Sequence, residues 1–177
     1  MSIAGTNLSN RLHELLKNDS YESMMELDCL EHLFACEGLR KYQTIATFCK
    51  ENGFKKVYDI GCAYGHQNEV FLEKEIAYVG INEQPLDAWN QENVEYIFNR
   101  YPFSIQSKSN DIAVSVLCLT WNCYLYKGEE TLRDQLLTLS TDFDQCILYV
   151  ADDKVKTIKE YYPNVKELGR KLYYFYK

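Results

Sequence analysis

The sequence predicts an α/β protein: a doubly wound, mostly parallel seven-stranded sheet with an N-terminal helical flank. Three observations carry this. From Lys55 onward, short β-branched and aromatic runs alternate with segments of helical spacing, which is the pattern of a parallel sheet with crossover helices. Ile112–Leu117 is an almost unbroken apolar run, as a central parallel strand buried on both faces requires. Lys56–Leu72, KVYDIGCAYGHQNEVFL, reads as a strand (Val57, Tyr58, Ile60), a tight turn (Gly61–Gly65) and a helix start (Val70, Phe71). Glycines in such a turn let the backbone approach a ligand with no Cβ in the way, and a helix N-terminus offers unpaired N–H groups.

The chain has 177 residues, enough for one domain over 1–177 with a substantial core. With 46% hydrophobic and 25% charged residues, the composition is that of a globular protein. No apolar run approaches the ~18 residues of a membrane span, so no membrane association is expected. The N-terminus MSIAGTNLSNR has no charged-then-apolar export pattern. Seven cysteines with no C-x-x-C pair then read as free thiols in a reducing, cytoplasmic setting. Net charge is −7, and residues 53–150 hold 14 acidic against 7 basic side chains. Such an acidic core argues against a nucleic-acid partner and is compatible with a cationic small ligand.

Residues 1–52 read as a helical flank or lid. Leu8, Leu12, Leu15 and Leu16 fall on one helical face, and Asn18-Asp19-Ser20 interrupts, with Ser20 a candidate cap for the next helix. That helix carries Met24, Leu27, Leu30, Leu33 and Phe34 and is predicted to stop at Gly38. A third helix, about Leu39–Asn52, carries Tyr42, Ile45, Ala46 and Cys49. The core, 53–177, then runs in order. A strand at Lys56–Ile60 is followed by a helix to about Lys74. A strand at Ala77–Ile81 is followed by a weak helix near Leu86–Gln91. Strands at Val94–Phe98 and Ile112–Leu117 are followed by a helix at Glu129–Leu139. A strand at Gln145–Val150 is followed by a helix at Asp153–Tyr162, and two strands flank Gly169-Arg170.

The turn spacing Asp59-x-Gly61-x-Ala63-x-Gly65 does not fit the dinucleotide fingerprint, because Ala63 and His66 stand at its second and third glycines. It resembles the first motif of class I S-adenosylmethionine-dependent methyltransferases, with Ala63 at the middle glycine. The element order resembles that family over about residues 39–177, including a last strand that in the family runs antiparallel. One departure is the short polar connection NRYPFSIQSKSND between strands three and four, with no clear helix.

The resemblance implies a set of cofactor contacts. The Gly61–Gly65 turn would wrap the methionine part of S-adenosylmethionine, and Asp59 would order its amino group. Asn82 stands where the family usually has the acid that accepts from both ribose hydroxyls, and the adjacent Glu83 is a substitute. Asn99 stands near the usual acceptor of the adenine amino group. Asp111–Trp121 resembles the family's fourth motif in small-molecule enzymes. That places the Ser115–Leu117 backbone beside the methyl group and Trp121 at the substrate mouth. Ser115-Val116-Leu117-Cys118 is not the N-P-P-Y-like tetrad of the amine-methylating DNA enzymes.

Cys29, His32 and Cys36 share a helical face, but no fourth metal ligand is evident, and small core residues explain them more simply. His66 reads as a solvent-facing capping residue or as a general base. If residues 1–38 cover the carboxyl edge of the sheet, Tyr21 would face the acceptor. Two functions remain open: methyl transfer to a small molecule or exposed side chain, and a non-catalytic protein that works through a protein partner. The first and fourth motifs favour the former. The amides at Asn82 and Asn99 favour the latter.

Overall fold

A computed structural model describes residues 3–18, 20–35, 38–83, 94–116 and 128–177. Three helices lead: α1 (Ile3–Leu15), α2 (Tyr21–Ala35) and α3 (Gly38–Glu51). Leu8 and Leu15 of α1 meet Leu30 of α2 in a small separate core, with Leu12, Leu27, Leu33 and Leu39 packed around it. Ser20 caps α2, its Oγ accepting the Ser23 N–H at 3.2 Å. Gly38 opens α3 instead of merely stopping α2. A Cβ there would stand 3.0 Å from the Leu33 carbonyl oxygen, so the bare glycine lets the two helix ends abut.

Seven strands follow: β1 (Lys56–Ile60), β2 (Ala77–Asn82), β3 (Val94–Phe98), β4 (Asp111–Ser115), β5 (Gln145–Tyr149), β6 (Asn164–Gly169) and β7 (Leu172–Tyr176). They form one sheet in the order β3-β2-β1-β4-β5-β7-β6. Strands β1 to β5 pair parallel, and β7 is antiparallel to both β5 and β6. The predicted seven-stranded architecture, with its antiparallel last strand, is the one observed.

Alternating residues feed two faces. Val57, Tyr78, Ile112, Val114 and Ile147 pack against α3 and against α4 (Asn68–Leu72). Tyr58, Val79, Ala113, Cys146, Leu148 and Phe175 pack against Leu132, Leu136 and Leu139 of α5 (Gly128–Asp142). Every residue of β4 is buried, which explains its apolar centre Ile112–Val114; the strand begins at the buried Asp111 and ends at Ser115, two residues short of the predicted Leu117.

The structure shortens two predicted helices. α4 ends at Leu72 and not at Lys74, and the chain turns through Glu75 with φ 59°. The segment predicted as a helix over Asp153–Tyr162 is a 3₁₀ turn (Asp152–Lys154) and a single helical turn, α6 (Val155–Ile158). Pro163 disfavours helical backbone at Tyr162, whose ring is instead buried with its hydroxyl donating to the Phe143 carbonyl at 3.0 Å. Residues 99–110 contain no helix, as expected. Asp142 holds this connection, accepting from the Ile105 N–H at 2.7 Å and the Ser104 hydroxyl at 3.3 Å, while the Ser107 hydroxyl donates to its carbonyl. The helix predicted near Leu86–Gln91 lies outside the described residues. The four described cysteines, Cys29, Cys49, Cys62 and Cys146, are free, and no described helix is long and apolar enough to cross a membrane.

Candidate functional site

β1 and β4 are neighbours at the centre of the sheet, yet β2 lies on the far side of β1 and β5 on the far side of β4. The connections therefore leave in opposite directions and open a crevice at the carboxyl ends of β1 and β4. A cavity of about 580 Å³ lies there. The Gly61–Gln67 turn lines it, with Val116 after β4 and Tyr149 at the end of β5. Asp28, Cys29, His32 and Leu33 of α2 and Gly38, Lys41 and Tyr42 of α3 complete the wall.

The turn alternates into left-handed backbone at Gly61 (φ 82°), Ala63 (φ 49°) and Gly65 (φ 76°). This alternation accounts for the spacing of the motif, and Ala63 occupies a conformation that glycine adopts without strain. Ala63→Gly should therefore raise folding stability by about 1 kcal/mol, seen as a melting temperature about 2–4 °C higher. No change in the melting temperature would mean the turn is relaxed at Ala63. At Gly65 the space a Cβ would take is already filled: it would stand 2.3 Å from the Tyr96 hydroxyl oxygen. This glycine makes room for a ring of β3.

Asp59, at the end of β1, is fully buried and does not line the cavity. Its carboxylate accepts from Gln67 Nε2 at 2.6 Å, from the Tyr78 hydroxyl at 2.7 Å and, more weakly, from the Tyr42 hydroxyl at 3.5 Å. Burial pushes its pKa up to about 6, against the pull of those three donors. In this arrangement Asp59 orders the turn through Gln67, which also donates to the Cys62 carbonyl at 3.0 Å.

A second buried polar unit ties the helical front to the turn. Glu26 of α2 accepts from Arg11 of α1 through Nε at 2.8 Å and an NH2 at 2.7 Å. Its Oε1 also lies 2.8 Å from His66 Nε2. Burial alone would raise the Glu26 pKa, but the His66 and Arg11 contacts outweigh it and hold it down at about 2. The expectation of a solvent-facing His66 is corrected here: the ring is 3% exposed, because α2 covers it. Nearby, Asn7 of α1 donates to the buried Glu69 carboxylate of α4 at 3.0 Å.

The remaining predicted site residues separate into three groups. Gly61, Ala63 and Gly65 line the cavity. Asn82 and Asn99 sit side by side at the ends of β2 and β3, where the Asn99 N–H donates to the Asn82 carbonyl at 2.9 Å, but neither lines the cavity. Glu83 is exposed and lies 3.6 Å from Arg100. The Ser115 hydroxyl donates to the Ile60 carbonyl at 3.0 Å, bridging the ends of β4 and β1 at the crevice. Leu117 and Trp121 lie outside the described residues. Tyr21 does not face the cavity and is 72% exposed. It occupies the first turn of α2, about 10 Å along the helix from Asp28, where the cavity wall begins. Cys29 and His32 line the cavity, Cys36 lies outside the described residues, and no metal-ligating cluster occurs among the described residues.

Sequence reasoning passed over Glu26, Arg11 and Gln67. The signal for Glu26 was present. It shares a helical face with Ser23, Leu27 and Leu30, and a carboxylate inside an apolar stripe needs a partner.

No protein-family model matches the sequence, and no curated protein is similar to it in sequence. Solved structures do match the fold. Monomeric WbdD is similar with a TM-score of 0.56 and 17% identity, over 78% of this chain and 40% of WbdD. A structure of WbdD described as a bifunctional kinase-methyltransferase matches with a TM-score of 0.50 and 16% identity, over 78% and 38%. The plantazolicin methyltransferase BpumL, solved with a monoazolic desmethylPZN analogue and SAH, matches with a TM-score of 0.51 and 13% identity, over 90% of this chain and 67% of that one. The chain thus spans about 40% of the length of WbdD. With its strand order and its glycine turn at the crevice, the protein has the class I S-adenosylmethionine-dependent methyltransferase fold.

Proposed function

We propose that this protein transfers a methyl group from S-adenosylmethionine to a small molecule enclosed in the central cavity. The observation that carries this reading is the Gly61–Gln67 turn, which opens at the β1/β4 crevice into a cavity walled by α2 and α3. The residues fit the cofactor at its methionine end, where three left-handed positions turn the backbone along the cavity. Gly61, Ala63, Gly65 and Val116 would hold that end. Asn82, Glu83 and Asn99 stand at the carboxyl ends of β2 and β3, outside the cavity wall, and would meet the ribose and the adenine only where the cofactor extends beyond that wall. Bound there, S-adenosylmethionine supplies an electrophilic methyl on a sulfonium. The chain's own task is to orient the acceptor and exclude water, which can supply much of the rate. Helices α1 to α3 act as a lid, and the lid and sheet form one domain. A cavity of about 580 Å³ suits a small molecule or an inserted side chain, and the net charge of −7 disfavours a nucleic-acid acceptor.

Calorimetric titration with S-adenosylmethionine and its demethylated product tests the reading. Asn82→Asp should tighten binding about fivefold, because a carboxylate accepts from both ribose hydroxyls where an amide has one acceptor oxygen. Unchanged or weaker affinity in the folded variant would move the ribose away from Asn82.

A second reading is favoured by two observations. Asp59 is fully engaged by Gln67, Tyr78 and Tyr42. α2 also exposes Tyr21, Met24 and Met25 to solvent. A non-catalytic protein that binds a protein partner through this face would show weak or no heat with either cofactor form.

A further inference from the structure

Resting on the partner-binding reading, we propose that the outer face of α2 docks a cationic amphipathic helix of a partner protein. α2 is apolar on two sides. Inward, Leu30 is buried against Leu8 and Leu15 of α1, with Leu27 and Leu33 packed around it. Outward, Tyr21, Met24 and Met25 are 72%, 59% and 44% exposed. Tyr21, Met24, Met25 and Asp28 stand at i, i+3, i+4 and i+7, so they form one strip along the helix. A single apolar stripe is what a surface helix needs, and a helix with apolar residues on its outer side as well has surface for a second neighbour. Unbranched methionines adapt to the side chains laid across them, and tyrosine and methionine are enriched where proteins meet.

The charge on this face selects the occupant. Glu22 and Glu31 flank the strip on either side and Asp28 continues it, and all three are exposed. α2 carries no lysine or arginine, and none of the three acids has an ion pair among the described residues. On α1, Arg11 is held by Glu26 and Glu14, while Lys17 stands exposed in the turn before α2. A second copy stacked on the same face would set acid against acid, and the same acids repel an anionic membrane or a nucleic acid. A helix with apolar residues at helical spacing and lysine or arginine beside them matches both features. Its apolar ridge covers Tyr21, Met24 and Met25, and its cations reach Glu22, Asp28 and Glu31. The strip from Tyr21 to Glu31 is about 15 Å long, so about three turns of partner helix span it. Asp28 belongs to the cavity wall as well as to the strip, which brings the docked helix to the edge of the cavity.

The test uses the full chain and a labelled synthetic peptide of about 18 residues, with leucine at i, i+3, i+4 and i+7 spacing and lysine elsewhere. One control peptide scrambles the same residues so that no apolar face forms, and another replaces lysine by glutamate. Fluorescence anisotropy at about 0.15 M salt should show the lysine peptide binding at least about tenfold more tightly than either control. Met24→Ser with Met25→Ser should weaken it by about tenfold or more, and Glu22→Gln with Glu31→Gln by about fivefold, with a shallower dependence on salt. These side chains are exposed, so both variants should melt at the wild-type temperature. Glu130→Gln with Asp134→Asn removes two exposed acids from α5 and should leave the affinity unchanged. No binding of the lysine peptide, a scrambled peptide that binds as tightly, a methionine variant that binds like the wild type, or an equal loss in the α5 variant overturns the proposal. So does a wild-type dimer in sedimentation that the methionine variant abolishes, which gives the face to a second copy, or binding to phosphatidylserine vesicles that the same variant abolishes. Strong cofactor heat in calorimetry with peptide binding intact overturns the non-catalytic reading alone, and failure of the peptide with weak or no cofactor heat overturns this proposal and leaves that reading standing.

Discussion

Glu26→Ala will remove about 3 kcal/mol of folding stability, read as a lower midpoint in denaturant unfolding. The loss is large because the substitution strands two groups at once: His66, buried beneath α2, and the Arg11 guanidinium. The same carboxylate has a pH signature. Its folded pKa of about 2 lies below its ordinary 4.5, so its stabilisation is complete above 4.5 and drains away as pH falls toward 2. Wild-type protein should lose on the order of 2–3 kcal/mol across that interval from this group. In Glu26→Gln the acid limb should be correspondingly shallower. Superimposable acid limbs would mean that the Glu26 contacts are not formed in solution.

Asp59 acts in the opposite sense. Its folded pKa of about 6 lies above the ordinary 3.8, so the folded state holds the proton more tightly than the unfolded chain. Stability therefore falls as pH rises from 3.8 to 6 and is level above that, a drop of about 3 kcal/mol from this group. Asp59→Asn removes the titration, and its melting temperature should not show that decline. A variant that still declines by the full amount would assign the slope to another group. Cofactor affinity adds a second readout. If Asp59 works only through Gln67 and Tyr78, the variant should bind S-adenosylmethionine nearly as well as the wild type.

The strands were the most legible part of the chain. β1 and β3 end where the sequence places them, because each is a short run of β-formers between turn residues with side chains alternating between two faces. Helix ends were less legible. Gly38 looks like a stop signal, yet what decides its place is contact with Leu33, a tertiary fact that helical spacing does not encode. α6 carries the right spacing but lasts one turn, because Pro163 and the burial of Tyr162 pull the chain back toward the sheet. In the site, the glycine turn was readable because its backbone demands are local. The partners of Asp59 and His66 were not. Tyr78 is 19 residues from Asp59, and Glu26 is 40 residues from His66. Only the sheet and the helical front bring them together. Gly65 shows the same limit: its residue type is correct for the motif, yet Tyr96 of β3 is what fills the space beside it.

The position of β7 bears on the order in which the chain can assemble as it is synthesised. β6 is made first but touches the sheet only through β7, which is inserted between it and β5. Until Leu172–Tyr176 leaves the ribosome, β5 presents an open edge and β6 has nowhere to dock. A nascent chain stalled before Leu172 would carry a five-stranded sheet with that edge bare. This is the species in which chaperone capture or edge-to-edge association is most to be expected.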